Sequence, residues 1–257
     1  MVLLSGLNES FPIAQEERRQ TAIQTLAATA AALHAIGGGC FASEPELQLV
    51  LAVLQDAGVS RVKTLRNIAS TAVELATGNE HAVWFYQADG ESRVLRAVHE
   101  PGLHFGHSLR LDDYLTRFEI GNVLFGDDVR MEGVDDRGFV YTSQRFVEGD
   151  RPDFSQIYLG MSRMGWLCRR HNAAEYQSPD GRLILSDLHT KNAVVSSWNG
   201  LLYPIDCVFL TAEQLSFCNN REDFMEAYDR PPASLTALWR GLSSPRELGF
   251  SDAQSEV

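Results

Sequence analysis

RLILSDLHTKNAVVSSWNGLLYPIDCVFL, residues 182–210, is the stretch whose reading decides the fold. Arg182-Leu183-Ile184-Leu185 and Leu202-Tyr203-Pro204-Ile205 are short apolar runs bounded by turn residues, the pattern of buried strands. Between them Ser197-Trp198-Asn199-Gly200 supplies a hairpin turn joining Ala193-Val194-Val195 to Gly200-Leu201-Leu202. The order strand, polar loop, hairpin, strand predicts that Asp187, Asn192 and Asp206 surround one pocket at strand ends. The competing reading is a surface hairpin dressed with ordinary turn residues.

The intervals carry a chemical meaning. Phosphoryl transfer to a hydroxyl uses a carboxylate to orient or deprotonate the attacking oxygen and an amide five residues on to hold Mg²⁺. A second carboxylate beyond the next hairpin holds Mg²⁺ against the phosphates. Asp187-Leu188-His189-Thr190-Lys191-Asn192 has that interval, and Asp206 lies one hairpin further on. An Asp and an Asn at this spacing occur about once by chance in a chain of this size, so the meaning rests on the strand context and the third polar group.

Outward from this stretch, 257 residues with 44% hydrophobic side chains allow one large domain or two lobes around a sizeable core. The formal charge of −12 argues against nucleic acid or an anionic membrane as the main partner, and no run of basic residues offsets it. Cys40, Cys168, Cys207 and Cys218 stand far apart with no C-x-x-C pair, as isolated reduced thiols do, which predicts a cytoplasmic setting. No leader of secretory type and no run of membrane-spanning length is present in the sequence.

Along the chain, Ala14 to Ile36 has helical apolar spacing through Ile23, Leu26, Ala30 and Leu33 and stops at Gly37-Gly38-Gly39. Ser43-Glu44-Pro45 opens a second helix that ends near Gly58, and a third is expected from Val62 to Ala72. These predict packing onto the following domain or a partner protein. Three β-prone runs, Val73-Glu74-Leu75, Ala82 to Tyr86 and Arg93 to Val98, form an antiparallel meander. A helix follows from Leu111 to Phe125, then two strands near 129–133 and 139–147, a Gly-Asp-Arg-Pro breaker at 149–152, and a helix from Asp153 to Leu167. Two short helices split at Pro231-Pro232 and a polar tail from Ser251 complete the chain.

Sheet, helix, strands, linker, helices and then the Asp187 loop is the order of parts in a bilobal kinase. Residues 73 to about 240 resemble the kinase-like domain of the polyvalent proteins of phages and mobile elements. The likeness is carried by Gly78-Asn79-Glu80-His81-Ala82-Val83, Tyr114-Leu115 with Asn122 to Asp128, Ser143 to Gly149, and the Asp187 loop ending at Pro204-Ile205-Asp206. The loop is also similar to that of aminoglycoside and choline kinases, where His commonly sits two residues after the Asp, as His189 does. The resemblance implies an α+β bilobal fold: a helical segment at 1–72, a sheet lobe at 73–148, a mainly helical lobe at 149–250 and a tail at 251–257.

It further implies ATP and Mg²⁺ as cofactors, with Asp187 as catalytic base, Asn192 and Asp206 as metal ligands, and Gly78 in the turn over the phosphates. The hinge Gln144 to Glu148, including Phe146 and Val147, would hold adenine. Arg96 stands where the third strand normally offers a Lys to the phosphates, with Glu119 as its expected helix partner and Asp112 and Asp113 as competitors. Arg keeps a permanent charge but presents a longer planar head, so the exchange is not conservative. The acceptor would be a hydroxyl on a protein or small molecule. A nucleotide-binding pseudokinase and an AMP transferase are the alternatives.

Overall fold

The computed structural model describes residues 10–39, 43–77, 81–88, 90–98, 108, 110–170, 174–218 and 234–250, with side chains for all of these except 10–15 and 216–218. α1 (Ser10–Ala35) and α2 (Glu44–Asp56) are the first two expected helices. Gly58, at φ +82°, follows α2 in the left-handed conformation that a helix stop favours. The third is much shorter than expected. α3 (Leu65–Ile68) is a single turn: the Thr64 N–H donates to Asn67 Oδ1 at 2.9 Å, and Ala69 is already extended at φ −141°.

The meander forms as expected. β1 (Val73–Thr77), β2 (His81–Ala88) and β3 (Glu91–Val98) pair antiparallel, and β4 (Arg130–Val134) and β5 (Val140–Arg145) complete a sheet of order β1-β2-β3-β5-β4. Between β3 and β4 runs α4 (Leu111–Phe125), with Asp112 and Asp113 in its first turn and Gly126 at φ +68° closing it.

α4 is unusual in being buried at every position from Leu111 to Asn122. A helix covered all round needs neighbours on all sides. On one face Leu111, Tyr114, Leu115 and Phe118 share a core with Leu26, Ala30 and Leu33 of α1 and with Val50, Leu51 and Leu54 of α2. Full burial of each such side chain stabilises by roughly 1.5–3 kcal/mol. The glycine run after α1 adds a second attachment: the N–H groups of Leu111 and Asp112 donate to the carbonyls of Gly39 and Gly38 at 3.2 and 3.1 Å. These amides begin a helix and have no partner inside it, so the glycine loop caps α4. A side chain at Gly38 would run into Arg110, which hydrogen-bonds Asp112 from two nitrogens.

The second half begins with β6 (Gly149–Asp150) and α5 (Phe154–Arg163). Asp153 caps α5 by accepting from the Gln156 N–H at 2.8 Å. The helix is shorter than the predicted 153–167 because Gly165 takes φ +78°, and Leu167 starts a strand instead. β7 (Leu167–Arg170), β8 (Glu175–Gln177), β9 (Leu183–Ser186) and β12 (Val208–Thr211) form a sheet of order β12-β9-β8-β7. β10 (Ala193–Ser196) and β11 (Leu202–Pro204) are the expected hairpin, joined by β6. α6 (Ala212–Cys218), α7 (Leu235–Arg240) and a 3₁₀ turn at Pro245–Leu248 follow. This half was expected to be mainly helical; its described residues also carry seven short strands. Pro231-Pro232 and the tail from Ser251 lie outside the described residues, of which no helix is long and apolar enough to cross a membrane.

The other face of α4 meets this half. Ile120 belongs to a core with Ile157, Leu185, Phe209, Leu235 and Trp239. Asp113 accepts from Ser234 Oγ at 2.7 Å, the Thr236 N–H at 2.9 Å and Gln214 Nε2 at 2.7 Å, and Thr116 pairs with Thr236 at 2.8 Å. α4 is therefore the shared wall of both halves.

Candidate active site

Asp187 and Asp206 arrive at the same place by strand pairing. β9 and β12 are antiparallel with Ser186 opposite Val208, so the residue after one and the residues before the other leave the sheet at the same end. Asn192 joins them from the hairpin: Ala193 pairs with Pro204, and the Ile205 N–H donates to the Asn192 carbonyl at 2.9 Å. The backbone positions of the three polar groups read from the sequence thus lie at one end of the sheet, and all three are at least partly open to solvent.

The loop is held by its own polar atoms. Asn192 Nδ2 donates to both the carbonyl and Oδ2 of Asp187, each at 2.9 Å. With the amide nitrogen fixed this way, Asn192 Oδ1 is left to face outward as a hard oxygen donor. Asp187 has φ +61°, a left-handed conformation that Asp tolerates better than most residues. His189 Nδ1 accepts from the Lys191 N–H at 3.2 Å, so in the neutral ring the proton sits on Nε2, which lies 3.6 Å from Asp187 Oδ1.

Among the described residues no three His, Cys, Asp or Glu side chains stand together as a metal cage. The donor set fits Mg²⁺ nonetheless, because that ion takes one or two protein oxygens and completes its shell with phosphate and water. Asn192 and Asp206 would hold it.

Arg96 comes from the middle of β3 and lies beneath this site. Its guanidinium donates to Gln144 Oε1 at 2.5 Å and to the Ile205 carbonyl, the residue immediately before Asp206. Glu119 does not meet it. The Glu119 carboxylate accepts from Trp239 Nε1 at 2.9 Å and pairs with Arg240, because its position on α4 faces α7 rather than the sheet. Burial raises its pKa against the opposing pull of Arg240 and Trp239. Asp112 and Asp113 are likewise committed, to Arg110 and to the start of α7.

Residues 60–213 match the family model described as a serine/threonine/tyrosine kinase found in polyvalent proteins. The chain belongs to this polyvalent-protein kinase family. No curated protein and no solved structure matches it. The matched range of the polyvalent kinase runs from just before α3 to the start of α6. α1, α2 and α7, which enclose α4, lie outside that range.

A buried carboxylate that feels the charge of Arg96 in this polyvalent kinase, without an ion pair to it among the described residues, is Asp127, which sequence reasoning missed. Asn192-like clamping places it: Asn122 accepts from the Val129 N–H at 2.6 Å and donates to its carbonyl at 2.8 Å, fixing the turn after α4. The Asp127 carboxyl then lies against Gly121, where a side chain's Cβ would stand 2.5 Å from Asp127 Oδ2. Asp127 Oδ1 is buried without a hydrogen-bond partner among the described residues. Burial pushes its pKa up to about 8, opposed by the charges of Arg96 and Arg145. Nothing in Gly126-Asp127-Asp128 distinguishes which Asp turns inward; Asp128 goes outward to Arg93 and Arg130, at 2.8 and 2.7 Å.

At the hinge, Gln144 spends its side chain on Arg96, and the Phe146 N–H donates to the Ser92 carbonyl at 2.9 Å, so that amide is not open to a base. The Phe146 ring packs edge-on against Phe85 of β2, with centroids 5.5 Å apart, making an apolar wall. Val147 N–H has no hydrogen-bond partner among the described residues. Gly78 lies outside the described residues.

Proposed function

We propose that the chain is an ATP- and Mg²⁺-dependent phosphotransferase acting on a hydroxyl of a protein or small molecule. The observation that supports the reading is that Asn192 bonds to Asp187 and that strand register brings Asp206 to the same end of β9, β12 and the β10–β11 hairpin. Mg²⁺, when bound, supplies charge neutralisation at the phosphates. Asn192 and Asp206 position it, and Arg96 reaches the phosphates from β3. Phe85 and Phe146 receive the adenine face, with the Val147 N–H as donor. Asp187, open to solvent, orients the acceptor hydroxyl. The acceptor oxygen bonds to the γ-phosphorus as the bond from that phosphorus to the bridging oxygen breaks. ADP leaves with the electron pair, and the hydroxyl proton passes to Asp187. Alignment and charge placement carry most of the acceleration. The setting is a cytoplasm that supplies ATP and keeps a thiol such as that of Cys207 reduced.

A nucleotide-binding module without turnover is the second reading, favoured by Arg96, whose guanidinium is already engaged by Gln144 and the Ile205 carbonyl. Thermal unfolding with ATP, with and without Mg²⁺, tests the binding common to both. Ligand at a hundredfold excess over its Kd stabilises by about 2.7 kcal/mol. Asp206→Ala is expected to abolish the Mg²⁺-dependent part. Absence of any shift with ATP and Mg²⁺ removes both readings, and a shift without ADP formation on any hydroxyl acceptor selects the module.

A further inference from the structure

β7 is the outer strand of the sheet β12-β9-β8-β7, so one row of its backbone groups has no sheet neighbour among the described residues. Its register places it beside the loop of Asp187. Arg170 pairs with Glu175 and Tyr176 with Leu185, so the end of β7 lies at the same end of the sheet as Ser186 and Asp187. The Leu188 N–H donates to the Ala174 carbonyl at 3.2 Å, tying the loop to the start of β8. With strands about 4.8 Å apart, Arg170 stands about 10 Å from the backbone that delivers Asp187.

The side chains on this edge are distinctive. A register shift between Cys168 and Arg170 breaks strict alternation, and Arg169 and Arg170 both stand exposed. Neither has an ion-pair or side-chain hydrogen-bond partner among the described residues. Nine other arginines each pair with an Asp or Glu. In a chain with 34 acidic and 22 basic side chains, two adjacent exposed arginines, neither ion-paired among the described residues although Glu175 stands opposite Arg170 in the β7–β8 ladder, make a local basic spot that an acidic segment would complement. At the opposite end of β7, an open hollow of about 370 Å³ is lined by Tyr158, Ser162, Gly165, Trp166, Leu167 and Cys168. Phe154 and Leu159 of α5 are exposed large apolar side chains on the helix that supplies Tyr158 and Ser162 to this lining.

We propose that this edge docks the acceptor: an extended acidic polypeptide segment adds alongside β7, sets an apolar side chain in the hollow and acidic side chains on Arg169 and Arg170, and leads a hydroxyl toward Asp187. The backbone would supply affinity and the side-chain sites selectivity. The added strand lies about 14 Å from β9, so the hydroxyl falls roughly four or five extended residues beyond the acidic positions. The last step rests on the phosphotransfer reading; the docking does not.

The test uses the full chain without nucleotide and two fluorescein-labelled twelve-residue peptides. Each has one Leu and one Ser, with four Glu in one and four Lys in the other. Anisotropy is expected to give at least tenfold tighter binding of the Glu peptide, and Arg169→Glu with Arg170→Glu to reverse that order. Arg169→Lys with Arg170→Lys is expected to keep it. A net charge of −12 acting alone favours the Lys peptide, so equal or tighter binding of that peptide by the unaltered chain overturns the proposal. No binding of the Glu peptide, or binding unmoved in the Glu variant, does the same. A concentration-dependent dimer that the Glu variant dissolves would assign the edge to a second copy and also overturn it. The ATP and Mg²⁺ thermal shift, run on the same preparations, decides the phosphotransfer reading separately.

Discussion

α4 and the loop from Asp187 to Asn192 are built in opposite ways. α4 is closed on every side, and its carboxylates at 113 and 119 are matched by Ser234, Thr236, Gln214, Trp239 and Arg240. The loop is open to solvent and held chiefly by Asn192 bonding back to Asp187. Buried polar groups stabilise when fully paired and cost heavily when not, whereas groups that must meet a substrate have to keep a hand free. The chain closes the polar groups of the helix with partners and leaves those of the loop open to solvent.

Asp187→Asn breaks the comparison most sharply. Asn tolerates positive φ and keeps the bulk, so melting temperature is expected to change little, while phosphoryl transfer falls by about 10²–10⁴-fold in a coupled ADP assay. A comparable loss of stability would show that the loop is structural after all. Asp113→Ala should do the reverse. It strands the hydroxyls, amide and Gln214 that converge on that carboxylate, and urea unfolding is expected to show a loss on the order of 3 kcal/mol.

Asp127 sharpens the comparison because it is buried like α4 yet unpaired like the loop. Burial pushes its pKa from the ordinary 3.8 up to about 8, so the folded state holds a proton that the unfolded state has released between these limits. Stability from this group is therefore present at low pH and lost as pH rises from about 4 through 8. Urea midpoints of the metal-free protein should fall across that window, and Asp127→Asn should flatten the fall by an amount on the order of a few kcal/mol. A pH dependence identical in both proteins would place the proton elsewhere.

Gly121→Ala tests the same spot from the helix side. In an exposed helix this exchange stabilises by about 1 kcal/mol, but here the new methyl meets Asp127 Oδ2, so a net loss of about 1–3 kcal/mol is expected. Trp198→Ser at the tip of the β10–β11 turn, where the ring is 84% exposed, should move stability by less than about 0.5 kcal/mol.

Much of the fold was legible because local signals were strong. Apolar spacing with Asp112-Asp113 in the first turn marked α4, Ser197 to Gly200 the hairpin, and three short β-prone runs the meander. That Asp187, Asn192 and Asp206 leave the strands at one end followed from short strands whose order leaves few ways to pair. What failed was decided by tertiary contact. Glu119 and Asp127 lie eight residues apart around the end of one helix, and only the packing of α7 against one face determines that Glu119 is taken by Trp239 and Arg240 while Asp127 is buried without such partners. Leu167-Cys168-Arg169-Arg170 became an edge strand because Gly165 turned the chain out of helix.

The glycine cap on α4 has a practical consequence. A fragment trimmed to residues 60–213 would lose the Gly38 and Gly39 carbonyls together with α1, α2 and α7. Leu111, Tyr114, Leu115 and Phe118 would then face water along one side, and two carboxylates on the other would lose most of their donors. Recombinant work on the kinase-family domain therefore has to begin upstream of α1 and run past α7, and a shorter fragment is expected to aggregate.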